Sequence, residues 1–213
     1  MEINQILNEL EKMFPDAKCE LIHESAFQLA VAVVLSAQAT DVSVNKVTPQ
    51  LFKKYPTSLA MAKASIRDLE KEIKTIGLYR NKAKHIHGLA AMLEGEFNGV
   101  MPQTLEELIV LPGVGRKSAN VILSVCFGIP AIAVDTHVER IAKRLGLAYK
   151  KDSVLQVEKK LMKKVPQERW TKAHHLFIFF GRYFCTAKNP QCESCVFRLQ
   201  CKDALAKRKM TNH

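Results

Sequence analysis

Apolar residues recur along this chain every three or four positions, the period of helices with one buried face. Ile3, Ile6, Leu7, Leu10 and Met13 share such a face, which stops near Pro15. Phe27 to Ser36 is apolar nearly all round, the pattern of a central buried helix. Asp41 is placed to cap a following helix, with Pro49 dividing it from residues 51–55. Ser65 can cap a helix over residues 66–76 that Gly77 ends. An amphipathic helix is expected over residues 81–97, and Thr104 with Glu107 offers a capping box for residues 105–111. Pro112 cannot continue that helix, so the chain must turn through Gly113-Val114-Gly115 before the next helix, over residues 116–127. A short extended link, residues 131–134, leads to Asp135 and a helix stopped by Gly146. Ser153 and Gln156 open another, which ends before Pro166, and a last long helix is expected over residues 168–184. Strand alternation is missing throughout, so the expected class is all-α.

Composition narrows the picture. With 213 residues, 47% of them hydrophobic, the chain can form one large domain or two small ones around a real core. It has no run of eighteen apolar residues, and its start, Met1-Glu-Ile-Asn-Gln, lacks a basic and then apolar leader. The expected setting is therefore the cytoplasm, away from the membrane, with reduced thiols. The net charge of +11 is uneven: residues 140–213 carry 18 Lys and Arg against 5 Asp and Glu, whereas residues 1–139 carry 14 against 16. A basic half of this kind suits a polyanion such as nucleic acid, though it could also be a solvated surface. The tail Lys207–His213 is expected to fray.

Two local patterns carry chemistry. Leu111-Pro-Gly-Val-Gly-Arg-Lys117 places two glycines in a tight turn and a lysine in the first turn of the helix that follows. Backbone N–H groups and a helix N-terminus there favour an anion such as phosphate. A neutral amine in that position can also be a nucleophile. Residue chemistry alone leaves Lys117 open as nucleophile or phosphate contact. The second pattern is Cys185, Cys192, Cys195 and Cys201, spaced C-x6-C-x2-C-x5-C. In a cytosolic chain this reads as a metal site, and four thiolates suit either zinc or an iron–sulfur cluster. Cys19 and Cys126 stand apart and are expected as buried thiols.

Six segments together resemble the endonuclease III family, helix-hairpin-helix DNA glycosylases with an iron–sulfur cluster. They are Leu35-Ser-Ala-Gln-Ala-Thr-Asp41, Ile76-Gly-Leu-Tyr79, the hairpin Leu111 to Lys117, Val134-Asp-Thr-His137, Gly181-Arg-Tyr183 and the four-cysteine tail. Phe180 departs from the pattern, in which a histidine precedes Gly181. The resemblance implies an all-α fold of two domains. A six-helix barrel with the helix-hairpin-helix would span residues 19–129. Residues 1–18 and 130–213 would form a helical [4Fe–4S] cluster domain.

The same resemblance implies a monomeric base excision repair enzyme acting on double-stranded DNA with damaged bases or abasic sites. It would remove oxidised pyrimidines as an N-glycosylase and cut 3′ to the abasic site by β-elimination. Lys117 is implied as the Schiff-base nucleophile and Asp135 as its catalytic partner, although Asp135 also reads as a helix cap. Gln38 and Leu78 would fill the gap left by a base flipped into the cleft between domains, a task opposed by their plainer reading as capping glutamine and core leucine. Gly113, Val114, Gly115, Arg116 and Lys188 would hold the DNA backbone, with Asp41 and His137 in support. Arg182 fits either a phosphate contact or a structural ion pair. Cys185, Cys192, Cys195 and Cys201 would hold the cluster, in a structural role. Two other readings compete: a monofunctional adenine glycosylase of the same superfamily, whose members usually lack the hairpin lysine, and a non-catalytic helix-hairpin-helix DNA-binding module, which needs neither Lys117 nor Asp135.

Overall fold

The structure, a computed structural model, describes residues 2–205, and the tail Lys207–His213 lies outside the described residues. Among the described residues there are helices and no strand. In chain order they are α1 (Ile3–Met13), α2 (Ala26–Ser36), α3 (Asp41–Asn45), α4 (Thr48–Lys54), α5 (Ser58–Ala62), α6 (Ile66–Glu72), α7 (Tyr79–Glu96), α8 (Leu105–Leu108), α9 (Arg116–Cys126), α10 (Thr136–Arg144), α11 (Val154–Lys164) and α12 (Trp170–Phe179). A 3-10 turn, Gln167–Arg169, precedes α12, and a π-helical turn, Phe180–Phe184, follows it. No helix among the described residues is long and apolar enough to cross a membrane. The chain divides into two compact units, one of Glu20–Ile129 and one of the described parts of Met1–Cys19 and Pro130–His213.

In the Glu20–Ile129 unit, α2 is the central element. Residues Phe27 to Leu35 are all buried, and Ser25 caps the helix by accepting from the Gln28 N–H. Helices α3, α7 and α9 pack on α2, while α5 and α6 pack on α7. Fully burying a Leu, Ile or Val side chain contributes roughly 2 kcal/mol, so Leu29, Val31 and Leu35 outweigh the weak amphipathicity of α2. Several boundaries differ from the sequence reading. Thr40, not Asp41, caps α3, its Oγ1 accepting from the Ser43 N–H, and Asp41 is the first helical residue. Pro49 lies in the first turn of α4 instead of between helices, a position where its missing N–H costs nothing. Helix α6 ends at Glu72, because the chain turns there to bury Ile73 and Ile76. Helix α8 ends at Leu108, since Leu111 precedes Pro112 and is steered out of the helical region. The five-residue α5 is too short for periodicity to reveal.

The second unit packs α1, α10, α11 and α12 around one core. Ile6, Leu7 and Leu10 of α1 join Val138 and Ile141 of α10, Val157 and Leu161 of α11, and Leu176 and Phe177 of α12. Ser153 and Gln156 form the expected capping box at the start of α11. The last long helix is broken: a π turn carries Phe180 into the core, where its ring stacks on Phe184 and meets Phe197 edge-on. Phe180 thus fills apolar space in this core. A Cβ on Gly181 would lie 3.0 Å from the Cβ of His137, so glycine lets the π turn approach α10.

Candidate functional site

The hairpin between α8 and α9 is seated by close packing. Gly113 has φ +80°, and a Cβ there would meet Val34 and His85 side-chain carbons at 3.0 Å. Glycine is therefore required on two counts. Gly88 of α7 lets Pro112 approach, since a Cβ would lie 3.3 Å from the Pro112 ring. Val114 is buried and anchors the turn, and its N–H donates to the Leu111 carbonyl at 3.0 Å. Gly115 is the N-cap of α9 and supplies no side-chain acceptor. The first turn of α9 therefore presents its backbone donors to any anion that docks there. Arg116 and Lys117 are the first two residues of that turn, and both are exposed.

Gln38 and Leu78 share an unusual backbone. Three non-glycine residues have positive φ among the described residues: Gln38 at 55°, Leu78 at 61° and Asn98 at 52°. Asn98 is a residue that tolerates this region, whereas leucine is not. Leu78 is 59% exposed and forms the N-cap of α7 without a side-chain cap. Gln38 is exposed in the turn after α2. The plainer reading of Leu78 as a core residue does not hold. Asp41 is half-buried on α3.

Asp135 caps α10. Its Oδ1 accepts from the backbone N–H groups of His137 and Val138, both at 2.8 Å. Oδ2 takes no part in the cap. His137 supports this region through its ring as well: its Nδ1 accepts from Arg140 Nη2 at 3.3 Å. Burial lowers its pKa, opposed by the nearby Asp135 carboxylate and reinforced by Arg140 and Arg182.

The four cysteines come together. Cys185, Cys192, Cys195 and Cys201 line one cavity with Leu145, Phe180, Phe184 and Arg144. None is in a disulfide. Burial raises the thiol pKa of Cys185 and Cys195, opposed at Cys185 by the Arg144 guanidinium and at Cys195 by a backbone hydrogen bond from Phe197, with the neighbouring cysteines adding to the rise. Among the described residues no three His, Cys, Asp or Glu side chains converge on a point that would hold a single ion. The other two cysteines, Cys19 and Cys126, are half-buried instead of buried.

The sequence reading missed two arginines and one lysine. Arg144 Nη1 donates to the Thr186 carbonyl at 2.7 Å and to Cys185 Sγ at 3.3 Å, while its Nη2 donates to the Ala187 carbonyl. Arg140 Nη2 donates to the Gly181 carbonyl at 2.7 Å. Together they fix the segment that leads to Lys188, itself exposed. Nothing in the α10 sequence singles them out beyond a four-residue spacing. Lys82, on α7 one turn beyond Leu78, is 4% exposed and its Nζ has no hydrogen-bond partner. Burial alone lowers its pKa.

Gln38, Asp41, Leu78, the hairpin glycines, Arg116 and Lys117 thus belong to the Glu20–Ile129 unit, and Asp135, His137, Arg182, Lys188 and the four cysteines to the other. Residues 31–167 match the family model of the HhH-GPD superfamily base excision DNA repair proteins. Endonuclease III of Bacillus subtilis (strain 168) is 52% identical over 202 residues, which are 95% of this chain and 92% of that protein. The fold is similar to that of a trapped endonuclease III–DNA covalent intermediate, an estranged-adenine complex, with a TM-score of 0.93 and 55% identity over 98% of this chain and 97% of that one. A non-covalent endonuclease III–DNA complex matches with a TM-score of 0.93 and 54% identity over 97% of each chain. The chain belongs to the endonuclease III family, within the HhH-GPD superfamily of base excision DNA repair proteins.

Proposed function

We propose that this protein is a base excision repair enzyme that removes oxidised pyrimidines from double-stranded DNA and then cleaves the strand through a Lys117 Schiff base. The observation that carries the reading is Lys117 exposed in the uncapped first turn of α9, directly after a hairpin whose glycine is fixed by packing. A protein 55% identical to this one has been trapped covalently on DNA, which supports an amine nucleophile here.

The Lys117 Nζ lone pair attacks C1′ of the extruded nucleotide, and the C1′–N bond breaks with its electron pair leaving on the base, which takes up a proton. The alkylated nitrogen then passes a proton to O4′ as the C1′–O4′ bond breaks, leaving an open-chain protonated Schiff base. Removal of a C2′ proton expels the 3′ phosphate, and water hydrolyses the imine to free Lys117. Asp135 stabilises positive charge at the sugar, a role suited to a carboxylate beside an oxocarbenium-like centre. One oxygen can do so because the helix cap uses only Oδ1. Leu78 and Gln38 fill the gap in the duplex, and their positive φ is the kind of stored strain that clusters at functional positions.

Cys185, Cys192, Cys195 and Cys201 would hold a [4Fe–4S] cluster. They line one cavity, and four thiolates are the ligand set such a cluster takes. The cluster would supply a covalent anchor for the segment carrying Lys188, and the reaction needs no electron from it. The protein would act as a monomer on the chromosome in the cytoplasm.

A substrate panel tests this reading. Duplexes carrying an oxidised pyrimidine, an oxidised purine, a mismatched adenine or an abasic site are incubated with the protein. Release of the oxidised pyrimidine with strand cleavage, and cleavage at the abasic site, are expected. Release of adenine without cleavage would replace the reading with that of a monofunctional glycosylase.

A further inference from the structure

The far end of α10 carries a second basic feature. Beyond Arg144 the chain turns through Gly146, Leu147, Ala148 and Tyr149, and this turn joins Lys160, Lys163, Lys164 and Lys202 in lining a cavity of about 620 Å³. Asp135 lies at the other end of the same helix. Nine residues of helix separate them, about 13 Å at 1.5 Å per residue.

The cavity has features of a prepared anion site. Lys160, Lys163 and Lys164 stand at spacings of three and four on α11 and so share a face, where like charges repel. Two of the four lysines are held in place. Lys160 Nζ lies 2.6 Å from Asp152 Oδ2 and 3.9 Å from the centre of the Tyr149 ring. Asp152 also accepts from the Tyr149 N–H at 2.6 Å, which fixes the turn. The stem of Lys202 lies over Gly146, whose φ is +77°, with Cδ and Cε 2.7 Å from where a Cβ would stand. Gly146 therefore seats Lys202 as well as ending α10. Asp152 neutralises one charge of the four, and among the described residues no carboxylate lines the cavity. Tyr149 is 63% exposed beside these cations.

We propose that this cavity is a second nucleic-acid site, at the opposite end of α10 from Asp135, in which Lys163, Lys164 and Lys202 bind consecutive backbone phosphates of a DNA strand and Tyr149 stacks on a base. An aromatic platform among lysines is the usual composition of single-strand sites. Phosphates on the shared α11 face relieve its self-repulsion. The choice of DNA as the source of phosphates rests on the repair reading, while the anion site itself does not.

The test uses the full chain and a fluorescein-labelled twelve-nucleotide oligothymidylate. Lysine acetylation with and without the oligonucleotide should show protection at Lys163, Lys164 and Lys202. Lys163→Glu/Lys164→Glu should weaken oligonucleotide binding about tenfold and make the log–log salt dependence shallower by about 1.4, the value for two single-strand phosphates. Tyr149→Ala should weaken binding several-fold without changing the salt slope. Both variants should still cleave a short abasic duplex. Unchanged acetylation of the three lysines, or unchanged binding by the double variant, would overturn the proposal. Inorganic tripolyphosphate that protects the lysines where the oligonucleotide does not would overturn the choice of a DNA strand. Failure of the wild-type protein to cleave abasic duplex would count against the repair reading alone.

Discussion

Leu78 at φ 61° and 59% exposure is a residue in a conformation and an environment that both disfavour it. The left-handed region costs a non-glycine residue about 1 kcal/mol, and the exposed side chain recovers none of it by burial. Leu78→Gly is therefore expected to raise unfolding stability by about 1 kcal/mol in a urea titration while lowering cleavage of a lesion duplex. A loss of stability would show that Leu78 packs, and unchanged cleavage would remove it from the proposed gap-filling role. Lys82 also sits against its own preference, a buried amine without a hydrogen-bond partner. Burial holds its folded-state pKa below the ordinary 10.5. Between those two values the native state binds fewer protons than the unfolded chain, so stability rises with pH across that window. Lys82→Met should abolish this rise and add about 1–2 kcal/mol at neutral pH, the cost of an unpartnered buried polar group. Thermal melts of both proteins from pH 7 to 10 check it. The place of Lys117 in the first turn after the hairpin and the cap by Asp135 were legible in the sequence, because a glycine hairpin and a capping position are local patterns. The buried Nζ of Lys82 was not, since a lysine in an amphipathic helix reads as surface until its neighbours are placed.

Asp135 and helix α10 join three tasks: a capped start at Asp135, a buried face of Val138, Ile141 and Ala142, and two arginines that hold the Cys185–Ala187 segment. The cap and the proposed chemistry of Asp135 can be separated. Asparagine caps as well as aspartate, so Asp135→Asn should shift stability by no more than about 0.5 kcal/mol while turnover on an oxidised-pyrimidine duplex falls by orders of magnitude. A matched loss of the melting transition would reduce Asp135 to a structural cap. The long helices α1, α7, α9 and α11 were readable because each buries a stripe, and α2 because it is apolar nearly all round. Boundaries were less so where two cap formers compete. Thr40 and Asp41 are both good caps, and the backbone chose Thr40. The π turn at Phe180–Phe184 left no mark in the pattern, because it arises from burial of Phe180 against Phe197 and from the approach of Gly181 to α10.

For the whole molecule, the uneven charge and the four-cysteine cavity bear on how the chain meets DNA. Cys195→Ser removes one thiolate from the cavity and should lower iron content and visible absorbance. Hydrogen exchange should then quicken over residues 185–201, since the anchor is lost while Arg144 still holds the Thr186 and Ala187 carbonyls. Stoichiometric zinc in a colourless wild-type protein would contradict the cluster assignment. The order of motifs along the chain was enough to expect this family, but the lysine cavity beyond α10 was not legible, because Gly146, Tyr149, α11 and Lys202 meet only in three dimensions. In the proposed reaction Lys117 bonds to deoxyribose. Borohydride trapping on an abasic duplex tests it most directly. Wild-type protein should give a covalent protein–DNA adduct, Lys117→Gln should give none while binding the same duplex with near wild-type affinity, and mass spectrometry should place the adduct on Lys117. An adduct of full yield from Lys117→Gln, or a loss of binding equal to the loss of trapping, would contradict the account.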